Sequence, residues 1–431
     1  MQARYRRHNP AVLKFPSLPL NALKPFTFLS VPVADDPRGH YKICMTHLPG
    51  STVVLQVLPS LVTGGVEKGT VEITAAIVRA GGIALVASAG GRMVRDIEAA
   101  GGHHITLPLD SKNPITLVLN GLRLRNVVIS KNVSIIHARS RAPAWSAWLA
   151  MQCTGAVFMT TYHGTYSARS ALKRFYNSIM ARGSIVIAAS RFIAERIVRE
   201  HGIPADRIAL IPRGVDLAAF NPDAIASDRI EKLRHSWGVT QERRLVLMPG
   251  RLTAWKGQTI LLEAIAKLSD PTVCCVFVGS DQGRTAYSDA LRKRASELGL
   301  ADRAYFVGDC SDMPAAFMTA DVVVHASVQP EAFGRVIIEA QAMARAVIAS
   351  EIGGPAETVR HGETGFLVRA GDPTALSDAI AMVLAMDRAD LLALGIRARR
   401  AVPTVQALQD ATLDVYRQAL TDAGRYPENS P

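Results

Sequence analysis

The stretch of this 431-residue chain that carries most chemistry is Pro330-Glu331-Ala332-Phe333-Gly334-Arg335-Val336-Ile337-Ile338-Glu339-Ala340. The pattern predicts a helix starting near Phe333-Gly334, with Glu331 in the loop before it. Glu339 then lies about 7–8 Å further along the axis, at roughly 1.5 Å per residue. Two carboxylates at two depths can accept hydroxyl groups, and the free amides of Phe333 and Gly334 can meet phosphate or sugar oxygens. That register suits a ribose and a hexose joined by a diphosphate. The plainer reading makes Glu331 a first-turn dipole residue and Glu339 a solvated helix charge. Against it, Glu339 sits among Val336, Ile337, Ile338, Ala340 and Met343, where a charge is costly without partners.

A second constellation is Gly250-Arg251-Leu252-Thr253-Ala254-Trp255-Lys256-Gly257, directly after an apolar run. Arg251 and Lys256 on one loop can flank a diphosphate, the first with a guanidinium fork and the second with a compact charge. The loop lacks the G-x-x-x-x-G-K-[ST] pattern of a P-loop. Gly64-Gly65 forms another strand-to-helix turn, where glycines let backbone approach a ligand and aim helix amides at an anion. Gly353-Gly354-Pro355-Ala356-Glu357 is a further glycine turn, and by itself reads as a capped helix start. Hydride transfer is disfavoured: G-x-G-x-x-G is absent, and the second strand ends at Ala87-Ser88 with no acid. His163 and His137 each close a strand at the edge that would face a cleft, although a histidine so placed is usually a packing residue. Arg139 and Arg141 are placed to meet a phosphate on an acceptor.

These residues need strands and helices to position them. Apolar runs at 52–58, 83–88, 105–107, 134–137, 157–161 and 185–189 alternate with amphipathic stretches, which predicts a parallel, doubly wound α/β domain over 51–216. Residues 217–240 are polar and turn-rich, fitting a linker. A second series follows at 245–248, 273–278, 304–307, 322–325 and 347–350, giving a C-terminal domain over 241–402. A last helix, 403–423, has no strand after it and is free to pack back on the N-terminal domain. Residues 1–50 are basic at the start and broken by prolines, an unordered leader without a clean signal core, and Met45 is an alternative start.

The net charge of +12 and pI of about 9.7 favour anionic partners. No nucleic-acid-reading module is present, which leaves phosphates and an anionic membrane surface. The helix over 168–180 gathers Leu172, Phe175, Tyr176, Ile179 and Met180 on one face, the pattern of a docked surface helix or of a basic amphipathic helix on lipid. The uncharged stretch 142–162 divides into helix, turn and strand rather than one membrane span. Cys44, Cys153, Cys274, Cys275 and Cys310 fit neither a zinc site nor a disulfide framework, and read as small buried hydrophobes in a reducing compartment.

Taken together, these motifs resemble glycosyltransferase family 4, the retaining sugar transferases of GT-B fold, over residues 51–420. The glutamate pair inside Pro-Glu-Ala-Phe-Gly is the most specific part; Gly250-Arg251 with Lys256-Gly257, Gly353-Gly354 with Glu357, and Ile211-Pro212-Arg213-Gly214-Val215-Asp216 add to it. The resemblance implies two Rossmann-like domains facing across a cleft. It implies a nucleotide diphosphate sugar as donor, with Arg251 and Lys256 on the diphosphate, Glu331 on the transferred sugar and Glu339 on the ribose. Gly65 would approach the donor phosphate, Val307 and Gly308 would border the base, and His163 would lie near the transferred sugar. The donor diphosphate is neutralised by cations and helix amides, so no metal cofactor is required for that task. A lipid-linked or polysaccharide acceptor of the cell envelope, worked on at the cytoplasmic face of the membrane, fits a basic chain. Two departures stand out: Val278-Gly279-Ser280-Asp281-Gln282-Gly283 lacks the usual Gly-Asp-Gly form, and Arg213 replaces an asparagine. A sugar-nucleotide epimerase and a non-catalytic sugar-nucleotide scaffold remain open alternatives.

Overall fold

The computed structural model describes Leu48 and residues 52–62, 64–166 and 170–425. The leader expected over 1–50, Leu48 apart, lies outside the described residues, as do Met45 and Cys44. Strands β1 (Val53–Val57), β2 (Ile83–Ser88), β3 (His103–Thr106), β4 (Ile135–Ala138), β5 (Val157–Tyr162), β6 (Val186–Ala188) and β7 (Ile208–Leu210) form one sheet in the order β3-β2-β1-β4-β5-β6-β7. Strands β8 (Arg244–Pro249), β9 (Val273–Val278), β10 (Ala304–Gly308), β11 (Val322–His325), β12 (Val347–Ser350) and β13 (Phe366–Val368) form the second, in the order β10-β9-β8-β11-β12-β13. Every pairing in both sheets is parallel. Strand order reverses beside β1 and beside β8, so each sheet opens a crevice at the carboxyl ends of its central strands, where such folds hold ligands.

Central strands are apolar because helices cover both faces. The exception in β1 is Gln56, fully buried; its amide donates to the Thr70 carbonyl at 3.2 Å and the Thr74 hydroxyl at 2.9 Å, and its carbonyl accepts from Arg139 Nε at 2.8 Å. β7 and β13 have three residues each, too few for periodicity to reveal. The segment 217–240, read as polar linker, contains a helix, Ser227–Ser236. None of its residues is buried, and Arg229 fixes it by two hydrogen bonds, 2.5 and 2.6 Å, to Asp312. Its polarity comes from lying on the surface.

The stretch expected as one helix over 168–180 is a helix, Ala171–Ser178, followed by a 3₁₀ turn, Ile179–Ala181. The tighter turn rotates the side chains: Ile179 and Met180 are buried, whereas Leu172 is 77% and Phe175 57% exposed. Cys153 is exposed and Cys310 half-buried, against the expectation of buried thiols, while Cys274 and Cys275 are buried in β9. The uncharged stretch is split between a helix, Arg141–Met151, and β5. Among the described residues no helix is long and apolar enough to cross a membrane.

After the second sheet the chain returns beside its own crossover, where Val215 pairs with Pro403 and Val405. A Cβ on Gly214 would meet the Thr404 carbonyl oxygen at 2.3 Å, so only glycine allows that approach. The helix Val405–Asp422 then lies on the helix Gly65–Arg79, and Leu408, Leu413, Val415, Tyr416 and Leu420 join Ile73 and Ile77 in one apolar cluster. Tyr416 Oη meets His137 Nδ1 at 2.6 Å, and His137 Nε2 meets Thr161 Oγ1 at 2.6 Å. His137 is 1% exposed with both ring nitrogens engaged. This corrects the acceptor-side role expected of it: the ring pins the C-terminal helix to the sheet.

Burial, with the charges of Arg139 and Arg213, holds the His137 pKa well below that of an ordinary histidine. Unfolded, the same ring takes up a proton near pH 6.5, so below that pH the unfolded chain binds the extra proton and stability falls with acidification. We expect His137→Gln to flatten the loss of Tm between pH 6.5 and 5. At pH 8 it should cost about 1–3 kcal/mol, because the Tyr416 and Thr161 hydroxyls lose well-placed partners. Thermal melts across that range check both effects.

Candidate active site

Lys256 ends a 3₁₀ turn, Ala254–Lys256, after β8, and Glu331 follows β11. The two loops are locked together by backbone. A Cβ on Gly257 (φ +82°) would stand 2.0 Å from the Ala326 carbonyl oxygen, and Val328 N donates to the Trp255 carbonyl at 2.8 Å. That contact brings Lys256 Nζ to 2.7 Å from Glu331 Oε1, both side chains less than 15% exposed. His325 Nε2 reaches the same oxygen at 2.8 Å, and the Ser327 hydroxyl donates to it as well. Burial alone would raise the Glu331 carboxyl, but the hydrogen bond and charge of His325, with the Lys256 ammonium, hold it well below the usual carboxylate range. Glu331 is therefore an ionised acceptor with one oxygen fixed and the other uncommitted among the described residues.

The loop Glu331–Phe333 rests on the Gly353-Gly354 turn. Gly354 N donates to the Glu331 carbonyl at 2.9 Å, and a Cβ on Gly354 would be 2.2 Å from the Ala332 carbonyl oxygen. Gly334, left-handed at φ +87°, caps the helix Arg335–Ala342. Glu339 lies one turn into it, its carboxylate 3.6 Å from Arg335 Nε. Burial raises the Glu339 carboxyl, opposed by Arg335 and Lys68. Arg251, in contrast, stands exposed at the rim, with its carbonyl held by Gln258 at 2.9 Å and its guanidinium 3.4 Å from Gln282. Val307 and Gly308 close β10, where the register with β9 shifts.

The N-terminal domain meets this surface at several points. Thr165 donates to the Pro330 carbonyl at 3.3 Å, setting the His163 loop against the Glu331 loop. Arg335 spans the cleft, its Nη1 3.4 Å from the Gly65 carbonyl and its Nη2 3.8 Å from Glu72. Gly64, at φ +142°, caps the helix that begins at Gly65. Ser190 donates to the Ala332 carbonyl at 2.6 Å, and Glu357 accepts the amides of Arg191 and Phe192 at 2.8 and 2.6 Å. The carboxylate of the fourth motif thus caps a helix of the opposite domain, Arg191–His201, not its own.

His163 accepts a hydrogen bond at Nδ1 from Arg213. Arginine can only donate, so the proton of the neutral ring sits on Nε2, which is buried and unpartnered among the described residues. Burial, then Arg213, Arg139 and His137, hold the His163 pKa well below the ordinary histidine value. Arg213 is itself lowered to about 9 by burial and by the neighbouring Arg139 and Arg335. Arg139 is 2% exposed. Arg141, expected on the acceptor side, spends its guanidinium on Asn177 Oδ1 at 2.8 Å and on the Tyr166 ring, 4.2 Å away, where it braces the loop after β5.

Five participants escaped sequence reasoning: His325, Ser327, Arg335, Glu72 and Lys68. The spacing His325-x-Ser327-x-x-x-Glu331 at a strand end was the available signal for the first two. Arg335, one turn before Glu339, was the signal for the third.

Residues 63–219 match the family described as Glycosyltransferase Family 4, and residues 229–400 match Glycosyl transferases group 1. A glycosyltransferase from Rickettsia africae is 34% identical, with a TM-score of 0.80 over 86% of this chain and 99% of that one. The chain belongs to glycosyltransferase family 4. Its two parallel sheets are the two halves of the GT-B fold. Among curated family 4 relatives, a D-inositol 3-phosphate glycosyltransferase from Xylanimonas cellulosilytica is 34% identical over 56% of this chain and 58% of its own length. Another of that name, from Streptomyces scabiei, is 29% identical over 68% of this chain and 69% of its own. The chain thus spans about three-fifths of the first relative's length. An Anabaena protein crystallised with UDP-glucose is 25% identical, with a TM-score of 0.73 over 84% of this chain and 99% of that one.

Within this family 4 chain, Arg213 adds to the burial that keeps the His163 ring neutral. Removing the guanidinium removes a neighbouring positive charge and lets the imidazole protonate at higher pH. We expect Arg213→Met to move the His163 pKa up toward 6.5, measurable by NMR titration of the ring, with a matching acid limb in the pH–rate profile.

Proposed function

We propose that this chain is a retaining glycosyltransferase that moves a hexose from a nucleotide diphosphate donor to a lipid-linked or polysaccharide acceptor of the cell envelope. The observation that carries this is the convergence of Lys256 on Glu331, with the His163 loop tied to Pro330 across the cleft. Lys256, Arg251 and the amides at Phe333 and Gly334 neutralise the diphosphate, so stabilising the leaving group is the main catalytic contribution, and this role is one that needs no metal. Val307 and Gly308 border the base, Glu339 takes the ribose hydroxyls, and Gly64-Gly65 close over the phosphates from the opposite domain. The Anabaena relative that holds UDP-glucose supports a nucleotide sugar as donor.

The reaction breaks the bond between anomeric carbon and diphosphate oxygen, its electron pair leaving with the diphosphate. The acceptor hydroxyl attacks from the same face and gives its proton to the departing phosphate oxygen, so configuration is retained. Glu331 and His163 Nε2–H orient the sugar hydroxyls during this step, and domain closure excludes water. No residue is required to form a covalent sugar adduct.

A membrane-side acceptor is supported by charge and exposure. Between Asp110 and Glu195 the chain has 11 Lys and Arg and no Asp or Glu. In the same span the helix Pro114–Ser130 exposes Ile115, Val118, Leu119, Leu122 and Ile129, with Leu172 and Phe175 exposed beyond it. An apolar stripe on a span whose only formal charges are positive suits an anionic bilayer at the cytoplasmic face.

We expect Lys256→Ala to lower transfer from a UDP-, GDP- or ADP-sugar by about 10²–10³-fold, the usual effect of removing one charge stabiliser. Glu339→Ala should weaken nucleotide binding while the far-UV spectrum is unchanged. Nucleotide release and product anomer are read by NMR and chromatography. Full activity in Lys256→Ala contradicts the site, inversion contradicts retention, and donor conversion without acceptor identifies an epimerase. For the membrane, Leu119→Glu with Leu122→Glu should abolish co-sedimentation with phosphatidylglycerol vesicles; equal binding by the wild type and the double variant overturns the contact.

A further inference from the structure

We propose that Arg335 is a positioning residue whose guanidinium passes from Glu339 to Glu72 as the two domains close, which frees the Glu339 carboxylate for the donor ribose. This role rests on the transferase reading and adds to it a residue that couples closure to donor binding. Arg335 opens the helix Arg335–Ala342 of the C-terminal domain, and Glu72 lies on the helix Gly65–Arg79 of the opposite one. A cation in the first turn of a helix stands at the positive end of its dipole. The pair it makes with Glu339, four residues on, runs in the less favourable order for a helix, base before acid. Neither placement serves the helix itself, so the reason for a guanidinium here lies in what faces it.

Three acceptors do. Arg335 Nε is 3.6 Å from Glu339 Oε1, Nη2 is 3.8 Å from Glu72 Oε1, and Nη1 is 3.4 Å from the Gly65 carbonyl. Each distance is long, so charge rather than direction holds the guanidinium, and it belongs wholly to none of the three. The charged side chains are only 12–21% exposed, which limits screening by water and salt. Glu72 Oε1 is buried and makes no hydrogen bond among the described residues, an acceptor left open for a closer approach. Behind it the backbone is pinned, because Gln409 of the C-terminal helix donates to the Glu72 carbonyl at 2.7 Å. Gly65 clears the path: a Cβ there would stand 3.4 Å from Arg335 Cδ. Glu72 is therefore the anchored partner, and the long arginine side chain is the part that moves.

Glu339 is the group that feels the exchange. The charges facing it are Arg335 on its own helix, and Lys68 and Glu72 on the opposite domain. Burial raises its carboxyl, Arg335 and Lys68 oppose that, and Glu72 adds to it. With the cleft open, Glu72 and Gly65 are out of reach and Arg335 has Glu339 alone, a carboxylate occupied by its own helix. With the cleft shut, Glu72 shares the guanidinium. Glu339 then keeps enough positive charge nearby to stay ionised and regains oxygens for the ribose hydroxyls. Donor binding and closure favour one another, since both depend on where one guanidinium rests.

Removing either partner weakens nucleotide binding by a different route. Arg335→Met keeps the stem and deletes the charge, so the Glu339 carboxyl moves further up and takes a proton as pH falls. Glu72→Gln keeps the shape and moves that carboxyl down, yet leaves Arg335 on Glu339 at every pH. Carbon-13 NMR of the nucleotide-free full chain, with the Glu339 signal assigned by its absence from Glu339→Gln, should record these opposite displacements. Titration calorimetry with UDP, GDP and ADP then compares each variant with wild type at one pH, which cancels ionisation of the nucleotide. For the nucleotide that wild type binds tightest, we expect the deficit of Arg335→Met to grow at least about fivefold from about pH 8 to pH 5.5. The deficit of Glu72→Gln should stay constant across that range, at about three- to tenfold. Arg335→Lys, which keeps the charge, should remove the pH dependence. A pH-independent deficit in Arg335→Met, or the same pH dependence in Arg335→Lys, overturns the role, as does wild-type affinity in Glu72→Gln. If the carboxyl moves as expected but none of the three nucleotides binds wild type, the donor assignment falls instead.

Discussion

Backbone against backbone, with no side chain between, is the constraint on which this molecule turns. Gly257 rests on the Ala326 carbonyl and Gly354 beneath the Ala332 carbonyl, at separations that a Cβ could not share. These two contacts fix three loops, from β8, β11 and β12, into one rigid floor. Only on that floor can an ammonium and a carboxylate face each other at 2.7 Å with so little water. Partial burial of such a pair is costly in itself. His325 and Ser327 repay part of that cost, which leaves a preorganised anion–cation edge facing the opposite domain.

The two domains meet largely through polar groups. Thr165, Ser190 and Glu357 each use one hydrogen bond or two, and Arg335 reaches across to Gly65 and Glu72. Contacts of this kind exchange readily with water, as suits domains that must part to admit a donor and release a nucleotide. Most apolar packing lies within each domain and under the C-terminal helix, with Ala332 against the first domain's core and Ala189 against the second's as apolar contacts across the seam. Stability and mobility are thereby assigned to different surfaces.

Much of this was legible from residue order. β2, β9, β11 and β12 run as their apolar stretches do, because each is buried on both faces and bounded by turn residues. Lys256 and Glu331 could be named separately, since each is a charge at the carboxyl end of a strand. Their contact could not be named, because 75 residues separate them and a glycine contact makes the meeting. Arg213 and His163 are 50 residues apart, and only the adjacency of β5, β6 and β7 brings them together. His137 misled for the opposite reason: its strand does end toward the cleft, but Tyr416, 279 residues later, occupies the ring. Side chains that act through distant partners carry no local pattern.

The returning C-terminal helix has a consequence for how the chain is made. Leu408, Tyr416 and Leu420 cover Ile73, Ile77 and Val54, so one face of the first sheet is roofed by residues emerging nearly two hundred positions after β7. At about 5–20 residues per second, a ribosome leaves that face bare for roughly 10–40 s. During this interval the first half is an unfinished, sticky intermediate, and a chaperone able to shield an apolar sheet for tens of seconds would raise the yield of native protein.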